Sequence, residues 1–259
     1  MIHSVTRRRA GGLALATLFA AMTLGPAAGV VRAGAAAPLL PDLAMVAPYN
    51  FKIAVSSNGR HLLRFTTIAV NIGRGPFQLV GFDSDGATIG DVLQVKQQIR
   101  YSDGTWHDRA TTARMQWAAD GHDHWHVIDY QKFKLQRIGA SAVGSGAKTG
   151  FCALDSYWYG SQQPSYYDAD RQICQTRANG TVLMGTQRKW GDIYRASIAY
   201  QWVDITGLPN GDYKLKVIAD PPFGTPGMFR ESNESNNRGW ATIRIRGTSV
   251  TVLARSANP

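Results

Sequence analysis

Apolar residues in this chain alternate with polar ones rather than recurring every third or fourth position. Between Val92 and Tyr101, Leu93, Val95, Ile99 and Tyr101 share one parity, and Gln94, Lys96, Gln98 and Arg100 the other. Side chains leave a strand on alternate faces, so this pattern predicts an antiparallel strand with one face buried. Tyr213, Leu215, Val217 and Ala219 alternate with Lys214, Lys216 and Asp220 in the same way. His61–Ile72 is rich in β-branched residues and apolar on both parities, which predicts a strand buried on both faces. Phe77–Phe82, Ala199–Ile205, Trp240–Arg246 and Thr248–Leu253 read as further strands. Gly73–Pro76, Ser102–Gly104 and Gly207–Gly211 supply turns, and the second of these reads as the tip of a hairpin. No strong amphipathic helix is found downstream of the N-terminal segment. The fold expectation is all-β: an antiparallel β-sandwich with long irregular loops. Residues 36–60 read as a lead-in and 139–150 as a flexible small-residue loop. Residues 156–190 form an irregular region of unusual length for a compact domain.

The first residues carry a different pattern. Arg7-Arg8-Arg9 precedes an apolar run from Gly11 to Val31, followed by the small-residue sites Val31-Arg-Ala33 and Ala33-Gly-Ala35. That is the layout of a signal peptide, expected over 1–35, ahead of one domain over 36–259. An uncleaved anchor is the alternative, because the run approaches the ~20 residues that span a bilayer. Gly25-Pro26 and the small residues after it favour cleavage. The expectation is a secreted or cell-envelope protein with no stable membrane insertion after cleavage. Thr6-Arg-Arg8 also resembles the start of a twin-arginine signal, although Ala10-Gly-Gly12 lacks the bulky apolar residues that usually follow.

Export changes the reading of charge and cysteine. The whole chain has a formal charge of +10, whereas residues 36–259 keep 24 of the 28 basic residues and all 18 acids, for +6. By charge alone this is not a nucleic-acid binder, and it is compatible with adsorption to anionic cell-envelope polymers. The two cysteines, Cys152 and Cys174, are expected to form one disulfide in an oxidising compartment.

Candidate chemistry centres on Asp120-Gly-His-Asp-His-Trp-His126. In an extended strand His122, His124 and His126 leave one face, about 6–7 Å apart at the backbone. Two of them, or all three if the strand bends, can converge on one ion held at about 2 Å. Imidazole-only ligation suits Cu(II) or Zn(II) better than Mg or Ca. A polar strand face with solvated histidines is the plainer alternative.

The segment from His122 to His126, followed by Asp129 and Tyr130, resembles the copper-binding segment of the lysyl oxidase family. Lys148-Thr-Gly-Phe-Cys152, Asp192-Ile-Tyr194, Gln201-Trp-Val-Asp-Ile-Thr206, Gly211–Val217 and Glu234-Ser-Asn-Asn237 resemble further family segments, in the family's order, over roughly residues 60–247. The resemblance implies a copper-dependent amine oxidase that converts primary amines, peptidyl lysine or similar, to aldehydes. O₂ is consumed, and hydrogen peroxide and ammonia are released. It implies copper on His122, His124 and His126. It also implies a lysine tyrosylquinone cofactor made from Lys148 and Tyr194, with a primary amine or lysine-containing protein as partner and no nucleic acid. Asp129, Asp155 and Asp192 are the candidate bases. The animal enzymes' additional disulfides are missing here, so Tyr194 is expected to be held by the sheet rather than by a staple. The competing classes are a non-catalytic exported copper-binding protein and an adhesive β-sandwich module.

Overall fold

The computed structural model describes Met1, His3 and residues 34–118, 123–221 and 227–259. The expected signal peptide and the first histidine of the row, His122, lie outside the described residues, apart from Met1, His3, Gly34 and Ala35. Residues Ala36–Pro259 form one compact unit, separate from Met1–Ala35. No helix among the described residues is long and apolar enough to cross a membrane.

The unit is built of antiparallel strands; its one described helical segment is a short 3₁₀ turn at Ala169–Arg171. One sheet has the strand order Gly150–Phe151, Trp125–Ile128, Trp106–Trp117, Val92–Tyr101, Phe77–Phe82, Thr181–Thr186, with Pro38–Leu39 beside Val92–Tyr101. A second runs Ala142–Ser145, Gln131–Arg137, Gly211–Ala219, Arg238–Arg246, Ser249–Arg255. The third is organised on His61–Asn71. Tyr157–Trp158 joins it through Trp190–Tyr194, which pairs with the distal half of that strand, as does Leu43–Met45. Trp202–Asp204 and Tyr49–Val55 pair with its proximal half. His61–Asn71 is buried on both parities from Phe65 to Asn71, which accounts for the absence of alternation in its sequence. All three sheets contribute to one core, with Phe65, Phe77, Trp125, Phe133, Leu215 and Ile243 among its members.

The all-β antiparallel expectation holds, and three local readings are corrected. The lead-in contains the strands Leu43–Met45 and Tyr49–Val55, the first of them buried at every position. The irregular region 156–190 contains Thr181–Thr186, buried from Val182 to Thr186. Leu43–Met45 and Thr181–Thr186 lack the half-buried alternation that marks a strand in a sequence, whereas Tyr49–Ile53 has it, with Asn50 and Lys52 exposed between partly buried Tyr49, Phe51 and Ile53. The loop 139–150 is pinned rather than loose. Ala142–Ser145 pairs with Gln131–Arg137, and Gly150–Phe151 with Trp125–Ile128.

Candidate metal and cofactor centre

The histidine segment is not one continuous strand. Asp123 takes a left-handed conformation (φ 45°), and the strand starts only at Trp125. His126 stands in the strand and is buried; His124 precedes it and is partly exposed. The bend turns the two rings toward each other, with Nε2 of His124 2.8 Å from Nε2 of His126 and the ring planes at 82°. Two imidazole nitrogens held about 2 Å from one ion at a right angle are about 2.8 Å apart. The pair therefore fits a shared transition metal, and equally a hydrogen bond when one nitrogen carries a proton. Behind His126 stands Gly150, where a Cβ would lie 2.8 Å from Nδ1 of the ring.

Lys148 and Tyr194 come together from segments 46 residues apart. Lys148 is 5% exposed and Tyr194 7%. Lys148 Nζ lies 5.1 Å from the centroid of the Tyr194 ring and 5.4 Å from that of Phe151. Phe151 packs edge-on against Tyr194 at 5.1 Å. The Tyr194 hydroxyl donates to the carbonyl of Cys152 at 2.9 Å. Burial, and then the neighbouring Asp192 carboxylate, push the Tyr194 phenol well above its usual range.

The three candidate bases separate cleanly. Asp129 is half-exposed and pairs with Lys132 at 3.7 Å. Asp155 is buried, but its oxygens accept from the backbone N–H groups of Tyr166, Tyr167 and Gln187. That is a loop tie. Asp192 is 2% exposed. Its Oδ1 accepts from the Ser156 hydroxyl at 3.1 Å, while Ser156 Oγ accepts from the N–H of Ile193 at 2.8 Å. Its Oδ2 is buried and has no hydrogen-bond partner. Burial raises the Asp192 carboxyl to about 8, against the lowering influence of Tyr194, Ser156 and Lys148.

Two cavities meet at this point, and His126 and Lys148 line both. One, of about 350 Å³, contains His124, Asp192 and Tyr194 together with the apolar walls Leu154, Ile173 and Ile198. The other, of about 310 Å³, is walled by Gln116, Trp117, Thr149 and Tyr200.

The family model for lysyl oxidase matches residues 86–254 of this chain. The chain belongs to the lysyl oxidase family. It is 32% identical over 148 residues to lysyl oxidase homolog 2 from Rattus norvegicus and from Homo sapiens, a match covering 56% of this chain and 17% of each relative. Against lysyl oxidase homolog 2 from Xenopus laevis it is 30% identical over 161 residues, 61% of this chain and 19% of that protein. The matched stretch is thus under one fifth of the relatives' own length.

A disulfide joins Cys152 to Cys174. Its position amends the expectation that only the sheet holds Tyr194. The Cys152 carbonyl receives the Tyr194 hydroxyl, and the Cys174 carbonyl receives the N–H of Trp125 at 2.8 Å, between the two histidines. Ser156 and Gly150 escaped the sequence reading. Nothing in the sequence marks Ser156, whereas Gly150 could have been noticed for its place immediately before Phe151-Cys152.

Proposed function

We propose that this chain is a copper-dependent amine oxidase in which Lys148 and Tyr194 mature into lysine tyrosylquinone. The reading rests on one observation: within a single cavity, two facing imidazoles, a buried lysine beside a buried tyrosine ring, and a carboxylate with an unpartnered oxygen stand together. The overall reaction would be RCH₂NH₂ + O₂ + H₂O → RCHO + NH₃ + H₂O₂. Copper would be held by His124 and His126 with His122, and the quinone, once formed, supplies the carbonyl that draws electrons from the amine.

The chain's own residues have distinct tasks in this reading. Lys148 must reach the ring as a neutral amine, and its Nζ stands 5.1 Å from the centroid of that ring. Phe151 and the Cys152 carbonyl fix the tyrosine ring at its face and at its hydroxyl. Asp192 is the proton acceptor: with a carboxyl near 8 it suits base work close to neutrality. Ser156 holds one of its oxygens, and the other is buried without a hydrogen-bond partner. Leu154, Ile173 and Ile198 keep water from the reacting atoms and provide an apolar wall for the stem of an amine. The enzyme would work outside the cytoplasm, on a free primary amine or a lysine side chain.

The test is maturation of the purified chain with copper in air, followed by peptide mapping, quinone staining and peroxide release from a primary amine. A joined Lys148–Tyr194 peptide with amine-dependent peroxide supports the reading. Recovery of both peptides unmodified from copper-loaded protein would replace it with a non-catalytic copper-binding protein.

A further inference from the structure

The positive charge of this chain is gathered on one sheet face. The strands Gln131–Arg137, Gly211–Ala219, Arg238–Arg246 and Ser249–Arg255 contain nine basic residues and one acid. Their inner faces bury Phe133, Leu135, Leu215, Val217, Ala241 and Ile243. Strand alternation therefore puts Lys132 and Lys134, then Lys214 and Lys216, then Arg238, Arg244 and Arg246 on the outside. The register sets them in rows: Lys216 stands opposite both Lys134 and Trp240, and Lys214 opposite Gln136 and Thr242. Asp212 is held by Arg244 at 2.6 and 2.8 Å, and Asp129, just before the first strand, pairs with Lys132. Seven bases against these two carboxylates account for five of the six net positive charges of residues 36–259.

We infer that this face binds an anionic polysaccharide. A face with like charges in adjacent rows attracts a polymer that carries a negative charge on successive units, and each neutralised pair releases counterions. Nucleic acid is the poorer fit. Single strands are held by bases stacked on open aromatic rings. The face's tryptophan, Trp240, is instead covered by Lys214, whose Nζ lies 4.3 Å from the ring centroid. No α-helix is available among the described residues to enter a major groove.

The experiment measures binding of the full chain to heparin, polygalacturonate, neutral dextran and a short DNA duplex in 100 mM salt. Two variants with the same charge loss are compared. Lys134→Gln/Lys214→Gln/Lys216→Gln removes three bases from the face. Arg74→Gln/Arg114→Gln/Arg188→Gln removes three exposed bases elsewhere. The face variant should lose at least tenfold in affinity for the acidic polysaccharides, with a shallower salt dependence; the control should change less than about twofold. Neutral dextran should not bind. Should the face triple fail to fold, Lys132→Gln/Lys134→Gln, which alters two exposed side chains of one strand, is expected to lose at least threefold. Equal losses in face and control variants, tighter binding to the duplex than to heparin, or no binding to either acidic polysaccharide would overturn the inference. None of these readouts depends on copper or on amine oxidation.

Discussion

Gly150 leaves room for one ring, that of His126. A Cβ at this position would sit 2.8 Å from Nδ1, 2.9 Å from Cβ and 3.1 Å from Cγ of the histidine. Gly150 pairs with Ile128 across the strand, so its backbone has little freedom to retreat. Gly150→Ala should therefore displace the imidazole while leaving the sheet intact. Copper affinity is expected to fall at least tenfold with an unchanged far-ultraviolet spectrum, read by competitive titration against a chromogenic chelator.

His124→Ala removes one of the two facing nitrogens. The purified chain is expected to bind about one equivalent of copper and this variant much less, by elemental analysis after gel filtration. Copper retained at one equivalent in the variant would remove His124 from the ligand set.

Lys148→Ala and Tyr194→Phe should each abolish the cross-link and amine-dependent peroxide while copper stays bound. On the proposed reading the lysine supplies an atom of the cofactor rather than a metal ligand, and a phenyl ring lacks the oxygen from which oxidation would start. Quinone staining, peptide mass and copper content on the same samples separate these outcomes.

Asp192 makes stability depend on pH in the sense opposite to a salt-bridged carboxylate. Its folded value near 8 lies above the unfolded value of about 3.9. Between the two, the native state binds more protons than the unfolded chain. Stability is therefore greatest below the unfolded value and is lost as pH rises toward and through 8. In copper-free protein, Asp192→Asn should flatten the fall in melting temperature between pH 5 and 8. An unchanged slope would mean that this carboxyl titrates normally.

Much of this architecture can be read from the sequence where burial is one-sided. Val92–Tyr101 and Gly211–Ala219 announce themselves because water on one face demands polar side chains at every second position. Leu43–Met45 and Thr181–Thr186 are covered on both faces, which leaves no period to detect. At the candidate site, spacing pointed to His124 and His126 with His122, and the resemblance to the lysyl oxidase family pointed to Lys148 and Tyr194. Asp192 could not be told from Asp129 and Asp155 until their environments were known. All three are aspartates beside a motif, and only burial and hydrogen-bond partners distinguish an ion pair, a loop tie and a buried carboxylate with one oxygen left without a partner. The pinned loop at 139–150 was hidden for a related reason. Small residues read as slack, yet Gly146 and Gly150 are small because Phe133 and His126 occupy the space a side chain would fill.

Removing the cross-link should do more than lower stability. Cys152→Ser/Cys174→Ser opens a loop of 22 residues, a loss of about 3 kcal/mol from chain entropy. It also unfastens the backbone groups that hold Tyr194 and Trp125. Formation of the Lys148–Tyr194 bond should slow several-fold at a temperature where the variant is still folded, measured by timed peptide mapping after copper addition.

The same bond gives the chain an order of assembly. Its two half-cystines reach two parts of the centre, one touching the tyrosine and the other the histidine segment. A chain with reduced thiols has those two parts joined through the sheets alone. On the proposed reading, thiol oxidation is expected to act as a checkpoint upstream of metal loading: a precursor kept reduced should mature more slowly than one whose bond has closed.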